Sequence, residues 1–302
     1  MKYAHILAAM AAELWAVDQI KLQAIVGFLA LQASGEKFSA EEIEAKIAPQ
    51  TAKAIARREG AVAIIPVQGV ISNRMNLMGD ISGGGGTSSE QLASMLRATL
   101  ADDGVKAIIL DGDTPGGAVH GTDEVSGLIA ANRGGKPIVG QVNANCASAG
   151  YWMFASCDEI VMTPSSEVGS IGVYTIHDDI SAALEKVGIK KTLIGAGKFK
   201  GENAPFQPLT EEAQAYTQQR VDAYYTMFVD RVAAGRNVDA DAVRNGFGQG
   251  RMVGAQEALR LGMADRIGTM QDTLARFGVG ARTSGRGSKA FASEREKRAL
   301  QL

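Results

Sequence analysis

The stretch NANCASAGYW, residues 143–152, sets one serine, Ser148, among small residues directly before an apolar run. A serine works as a nucleophile only with room for a substrate backbone, donors for an oxyanion, and a base. Ala147, Ala149 and Gly150 leave the room. The Ala149 N–H, at the start of the helix expected after Ser148, is one donor. A second donor comes from DGDTPGGAVHG, residues 111–121. There Pro115 fixes φ, and Gly116–Gly117 let the backbone turn the Gly117 N–H outward. Taken singly, Ser148 reads as a helix N-cap and the Pro-Gly pair as a routine turn. Both stretches follow an expected strand at its C-terminal end, the edge where α/β sheets hold their ligands.

The base is harder to find. Histidines occur only at His5, His120 and His177, none within a recognisable signature. CASAG also has Cys146 where a G-x-S-x-G elbow has glycine. A desolvated lysine is the other option, because burial favours its neutral form. GAGKFKGENAPF, residues 195–206, offers Lys198 and Lys200. The same stretch fails as a phosphate loop: Lys200 stands where a third glycine is needed, and Phe199 follows Lys198 in place of Ser or Thr.

The elements that must position these groups follow from the apolar periodicity. Residues 3–33 carry apolar side chains at helical spacing with no glycine before Gly27, and FSAEEIEAKI continues with Ser39 as N-cap. This predicts a helical N-terminal extension over residues 1–59. AVAIIPVQGVI then opens a run of strands and helices. The strands are VKAIILDGD, PIVGQVN, EIVMTP, VGSIGVYTI and KKTLIGAG; the helices are EQLASMLRATLADD, VHGTDEVSGLIAANR, SAGYWMFASC and DDISAALEKVG. Such alternation predicts an α/β fold with a largely parallel sheet. A long helix from Thr210 and a strand–helix–strand over residues 250–268 close a domain spanning residues 60–270. Gly83–Gly86 reads as a mobile loop, expected to act as a flap beside a bound substrate, and residues 271–302 as a flexible basic tail or linker.

Four stretches occur in order: DTPGG, NANCASAGYWMFASCDEIVMTPSSEVGSIGV, ALEKVGIKKTLIGAGKFKGENAPFQPLTEEA and GRMVGAQEALRLGMADRIG. Together they resemble the signal peptide peptidase A (protease IV) family of Ser–Lys peptidases. Within it the chain is most similar to the tailed-phage capsid or head-maturation proteases. ELWAVDQIKLQAIVGFL near the N-terminus, the expected lack of a membrane anchor, and the continuation NAPFQPLT carry that likeness.

The resemblance implies a Clp protease/crotonase-like core of repeated β-β-α units. It implies Ser148 as nucleophile, Lys200 as general base, with Lys198 second, and the Gly117 and Ala149 N–H groups as the oxyanion hole. Gly116, Ala118, Gly169 and Ser170 fall on the substrate-binding strands, and Ser170 on a position suited to orient the lysine. A homo-oligomeric ring acting on capsid or scaffold proteins, with no cofactor and no metal, follows from the same likeness. Competing classes are a cellular signal-peptide-degrading peptidase, a crotonase-type acyl-CoA enzyme, and a non-catalytic scaffold subunit.

Composition narrows the partners. A formal net charge of −2 argues against nucleic acid as the main ligand. No uncharged run reaches the ~18 residues of a spanning helix. Cys146 and Cys157 are too few for a zinc site or a disulfide framework. These features predict a cytoplasmic protein, in a bacterial host for the phage type.

Overall fold

The structure, a computed structural model, describes residues 15–17, 57–74 and 86–279. The rest of the expected N-terminal extension, Gly83–Gly85 of the expected flap, His5, and the tail from residue 280 lie outside them.

The alternation read from the sequence is present as two sheets with helices packed on them. The larger, eight-stranded sheet is built on parallel neighbours β3 (Val62–Gln68), β6 (Ala107–Thr114) and β8 (Ile138–Ala147). Its registers run Val62↔Ala107 and Ile108↔Ile138. β8 also pairs in parallel with β9 (Glu159–Met162) and with β10 (Glu167–Gly169). β2 (Arg57–Glu59), β11 (Met252–Gly254) and β12 (Arg266–Ile267) complete it. The central strands are apolar on both faces, as a sheet covered on both sides requires.

The smaller sheet joins β1 (Trp15–Val17), β7 (Gly116–Ala118), β4 (Ile71–Ser72) and β5 (Thr87–Ser88). Its β1 corrects the expectation of helix over residues 3–33. Trp15–Val17 is extended, pairs antiparallel with β7, and is buried throughout. Helical periodicity in the sequence loses here to a tertiary edge that offers main-chain partners to a β-prone Trp-Ala-Val segment.

The helices fall close to expectation: α1 (Ser89–Ala101), capped by the Ser88 side chain, then α2 (Thr122–Ala130), α3 (Ala149–Phe154) and α4 (Ser181–Lys186). α5 (Glu211–Arg236) starts at Thr210, whose hydroxyl accepts from the Ala213 N–H. α6 (Ala240–Gly246), α7 (Ala255–Leu261) and α8 (Met270–Arg276) follow.

Two boundaries move. β2 lies within the stretch assigned to the extension, yet it is hydrogen-bonded to β3. α8 lies within the stretch assigned to the tail, yet it packs Leu274 against Ile109, Val139 and Val161 of the sheet. A Thr269–Asp272 capping box starts that helix. KKTLIGAG, expected as a strand, forms none: it has no neighbouring strand among the described residues and is exposed along its length.

Candidate active site

β8 runs to Ala147, and the chain turns into α3 at Ser148. The turn holds Ser148 at φ 52° and ψ −113°, a left-handed conformation. That region costs a non-glycine residue about 1–3 kcal/mol, so the surroundings must impose it. They do so on both sides: the Ser148 N–H donates to the Gly169 carbonyl at 2.7 Å, and the Trp152 N–H donates to the Ser148 carbonyl at 2.8 Å.

Packing under α3 makes the turn rigid. The Phe154 ring fills a slot left by Gly112 and Gly140, where a Cβ would come within 2.7 Å of it. Trp152 stacks on Phe228 of α5, centroids 4.4 Å apart. Its indole N–H donates to Asp123, which also takes two hydrogen bonds from Arg231. A Cβ on Gly150 would lie 2.4 Å from Thr114 Cγ2, so only glycine lets α3 start this close to β6.

The Ser148 side chain makes no capping bond to α3, which removes the plain N-cap reading. It is 1% exposed and its Oγ has no hydrogen-bond partner. A buried hydroxyl in that state is rare and calls for a reason. Burial pushes the Cys146 thiol well up, so the neighbouring cysteine stays protonated and serves as packing rather than as a rival nucleophile.

The glycine turn lies against the serine. A register shift in the β6–β8 pairing between Gly112 and Thr114 bends the end of β6. Thr114 then clamps the turn, donating from Oγ1 to the Gly69 carbonyl and accepting from the Gly116 N–H. A Cβ on Gly116, whose φ is 96°, would stand 2.9 Å from Ser148 Cβ. Gly117 lies beside it in β7. Ala149 opens α3, where an N–H has no partner within the helix. Gly169 borders Ser148 from the end of β10, and Ser170 follows it with its N–H on the Arg251 carbonyl at 2.9 Å.

The lysines are not brought to this centre. Lys198 pairs with Glu212 at 3.1 Å and lies 4.4 Å from the Phe199 ring centroid. Lys200 is exposed in the turn opened by Gly197 (φ 94°), its N–H on the Gly197 carbonyl. His177 touches the Gln207 carbonyl and His120 meets Tyr224 edge-on; neither bonds Ser148 Oγ. Phe199 is half-exposed and lies against Lys198, and the single chain leaves Lys200 open to solvent. The lysine segment also presents Val187, Ile189, Leu193 and Ile194 to solvent, the last 93% exposed.

Sequence reading missed the main-chain partner that Tyr174 offers to Trp15. The two pair through hydrogen bonds of 2.9 and 3.1 Å. The Gly116–Ala118 segment is paired on both sides, with Ile71 on one and Trp15–Val17 on the other.

A buried serine forced into a left-handed turn at a strand end, with glycines and a helix start around it, can set a hydroxyl beside oxyanion donors. Comparison with known proteins gives the family. The sequence profile of peptidase family S49 matches residues 130–283, which hold both Ser148 and Lys200, and the chain belongs to that family.

The chain is 31% identical over 260 residues to Capsid assembly protease C of Escherichia phage lambda, covering 83% of this chain and 58% of that protein. It is 29% identical over 226 residues to Head-tail preconnector protein GP5 of Enterobacteria phage P21, covering 75% and 44%. To Protease 4 of Salmonella typhi it is 28% identical over 218 residues, covering 72% and 34%. The chain thus spans between a third and somewhat over half of the length of these relatives.

Proposed function

We propose that the chain is a serine endopeptidase with a Ser–Lys dyad that cleaves capsid or scaffold proteins during phage head maturation. The observation that carries the serine is its state: strained, buried, its hydroxyl without a hydrogen-bond partner, and flanked by Gly116–Gly117 and Ala149. Lys200, neutral when desolvated, takes the Ser148 proton as Oγ attacks a peptide carbonyl. The Ala149 N–H, and the Gly117 N–H once its partner Ala16 gives way, hold the oxyanion. Lys200 returns the proton to the leaving amine, and water then hydrolyses the acyl-enzyme.

Lys200 is exposed in the single chain, so the dyad forms only when something moves or covers that segment. A homo-oligomeric ring does both. The exposed Val187, Ile189, Leu193, Ile194 and Phe199 favour it, because apolar surface of this extent marks a contact face. Two successive strand-then-helix units, β3–β4–β5 with α1 and β6–β7 with α2, favour a Clp protease/crotonase-like spiral as the core. The capsid substrate rests on the name of the phage lambda relative, Capsid assembly protease C, and a host-cytoplasmic location goes with it.

A fluorophosphonate probe tests the nucleophile. Labelling of the wild type that is lost in Ser148→Ala supports the reading; labelling that persists in Ser148→Ala sinks it. Co-expression with candidate capsid and scaffold proteins, followed by mass spectrometry of new termini, tests the substrate. An acyl-CoA enzyme or an inert scaffold subunit would give no new termini.

A further inference from the structure

Trp15–Val17 is buried between two backbone edges, one of which, β7, meets Ser148 at Gly116. On one side it pairs antiparallel with β7, in the register Trp15↔Ala118, Ala16↔Gly117, Val17↔Gly116. On the other, Trp15 exchanges two hydrogen bonds with Tyr174. Main-chain alternation therefore aims the N–H and C=O of Ala16 at the glycine edge. The Ala16 carbonyl oxygen would lie 2.3 Å from a Cβ on Gly116, and Ser148 Cβ only 2.9 Å from the same point. A carbonyl of the chain itself thus stands across one glycine from the nucleophile.

An extended peptide substrate needs these same two edges, since strand addition draws its affinity from main-chain bonds to unpaired backbone. We propose that Trp15–Val17 is an in-cis occupant of the peptide groove, holding the substrate's place until it is displaced. This rests on the reading of Ser148 as a nucleophile that faces an extended peptide. The groove is a two-sided clamp. Occupancy by the chain and by an external peptide excludes one another, and the tether gives the internal segment a high effective concentration. At Ala16, the position facing Gly116–Gly117, a small side chain fits: it is fully buried.

The test locks the segment in place. Trp15 and Ala118 are register partners in a pair whose Cα separation, about 4.5 Å, lies within the range a disulfide spans. In the Trp15→Cys/Ala118→Cys chain, closing the bridge should lower kcat/KM on a fluorogenic peptide at least about tenfold, and reduction should restore it. Equal kcat/KM with the bridge open and closed, the bridge verified by mass, overturns the proposal and makes Trp15–Val17 a permanent strand of the fold.

Ala16→Pro gives a second route, because it removes the N–H aimed at the glycine edge. A lower KM with kcat retained supports displacement; an unchanged KM in a folded protein counts against it. Binding of a labelled ELWAVDQ peptide, read by anisotropy, separates this from the catalytic reading. If no form turns over any peptide, the catalytic reading fails. Binding to the reduced and not the oxidised double-cysteine chain then still upholds occupancy, and equal binding to both ends it.

Discussion

The Ser148 N–H donates to the Gly169 carbonyl at 2.7 Å, and that bond ties the turn after β8 to the end of β10. It holds Ser148 in a conformation that glycine would adopt without strain. Ser148→Gly is therefore expected to raise the unfolding free energy by about 1 kcal/mol while abolishing turnover. Ser148→Ala should abolish turnover without that increase. Urea unfolding of the three proteins checks this; equal stability of the Gly and Ala variants would mean the turn is not strained.

The two lysines separate by their partners. Lys198 makes an exposed ion pair with Glu212, worth less than about 1 kcal/mol. Lys198→Met should leave the thermal midpoint and peptide turnover close to wild type. Lys200→Met should keep the midpoint and lose turnover. The reverse pattern would move the base to Lys198.

A Cβ on Gly150 would overlap Thr114 Cγ2 and crowd Cys146 Sγ at 3.2 Å. Gly150→Ala is expected to destabilise the protein by about 1–3 kcal/mol through overpacking at the start of α3. Thr114→Ser removes Cγ2 and keeps the hydroxyl that bonds Gly69 and Gly116. Adding it should recover a large part of the loss. Additive effects in the double-mutant cycle would show that the contact is not the cause.

If the lysine segment is a contact face, a charge at its most exposed apolar position should split the assembly. Ile194→Asp is expected to lower the native mass seen by light scattering and to reduce turnover in parallel. An unchanged mass would place any interface elsewhere.

The segment closing the domain depends on a carboxylate. Burial acts to raise Asp265, but two hydrogen bonds from Arg236 and the Ile160 N–H outweigh it and hold the carboxyl below its usual range. A depressed native pKa contributes stability that is complete above the unfolded value, about 3.9, and is lost as pH falls through the native one. Asp265→Asn should therefore cost about 2 kcal/mol at pH 7. That is less than for a fully buried pair, because the Asp265 side chain is 38% exposed. The gap to wild type should close as pH drops below ~4. A gap that stays constant with pH would mean that the charge is not what is lost.

Local pattern determined much of this protein. Strand–helix alternation fixed the α/β class, because β-branched runs and helical spacing differ in period wherever an element is long. The Ser148 turn, the Gly116–Gly117 pair and the Thr210 cap could all be read from residue type, since each reports a backbone need at its own position. The sequence likewise put Lys198 and Lys200 in one loop. Tertiary structure alone decided the rest. Trp15–Val17 carries a helical pattern and is a strand, because a glycine edge and Tyr174, both about a hundred residues or more away, offer it hydrogen bonds that no local window contains. KKTLIGAG has strand composition and is exposed, because a strand exists only beside a partner. That Ser148 is buried and strained, its hydroxyl without a partner, depends on Gly169, Phe154 and Thr114 meeting around it, and no spacing along the chain encodes that meeting.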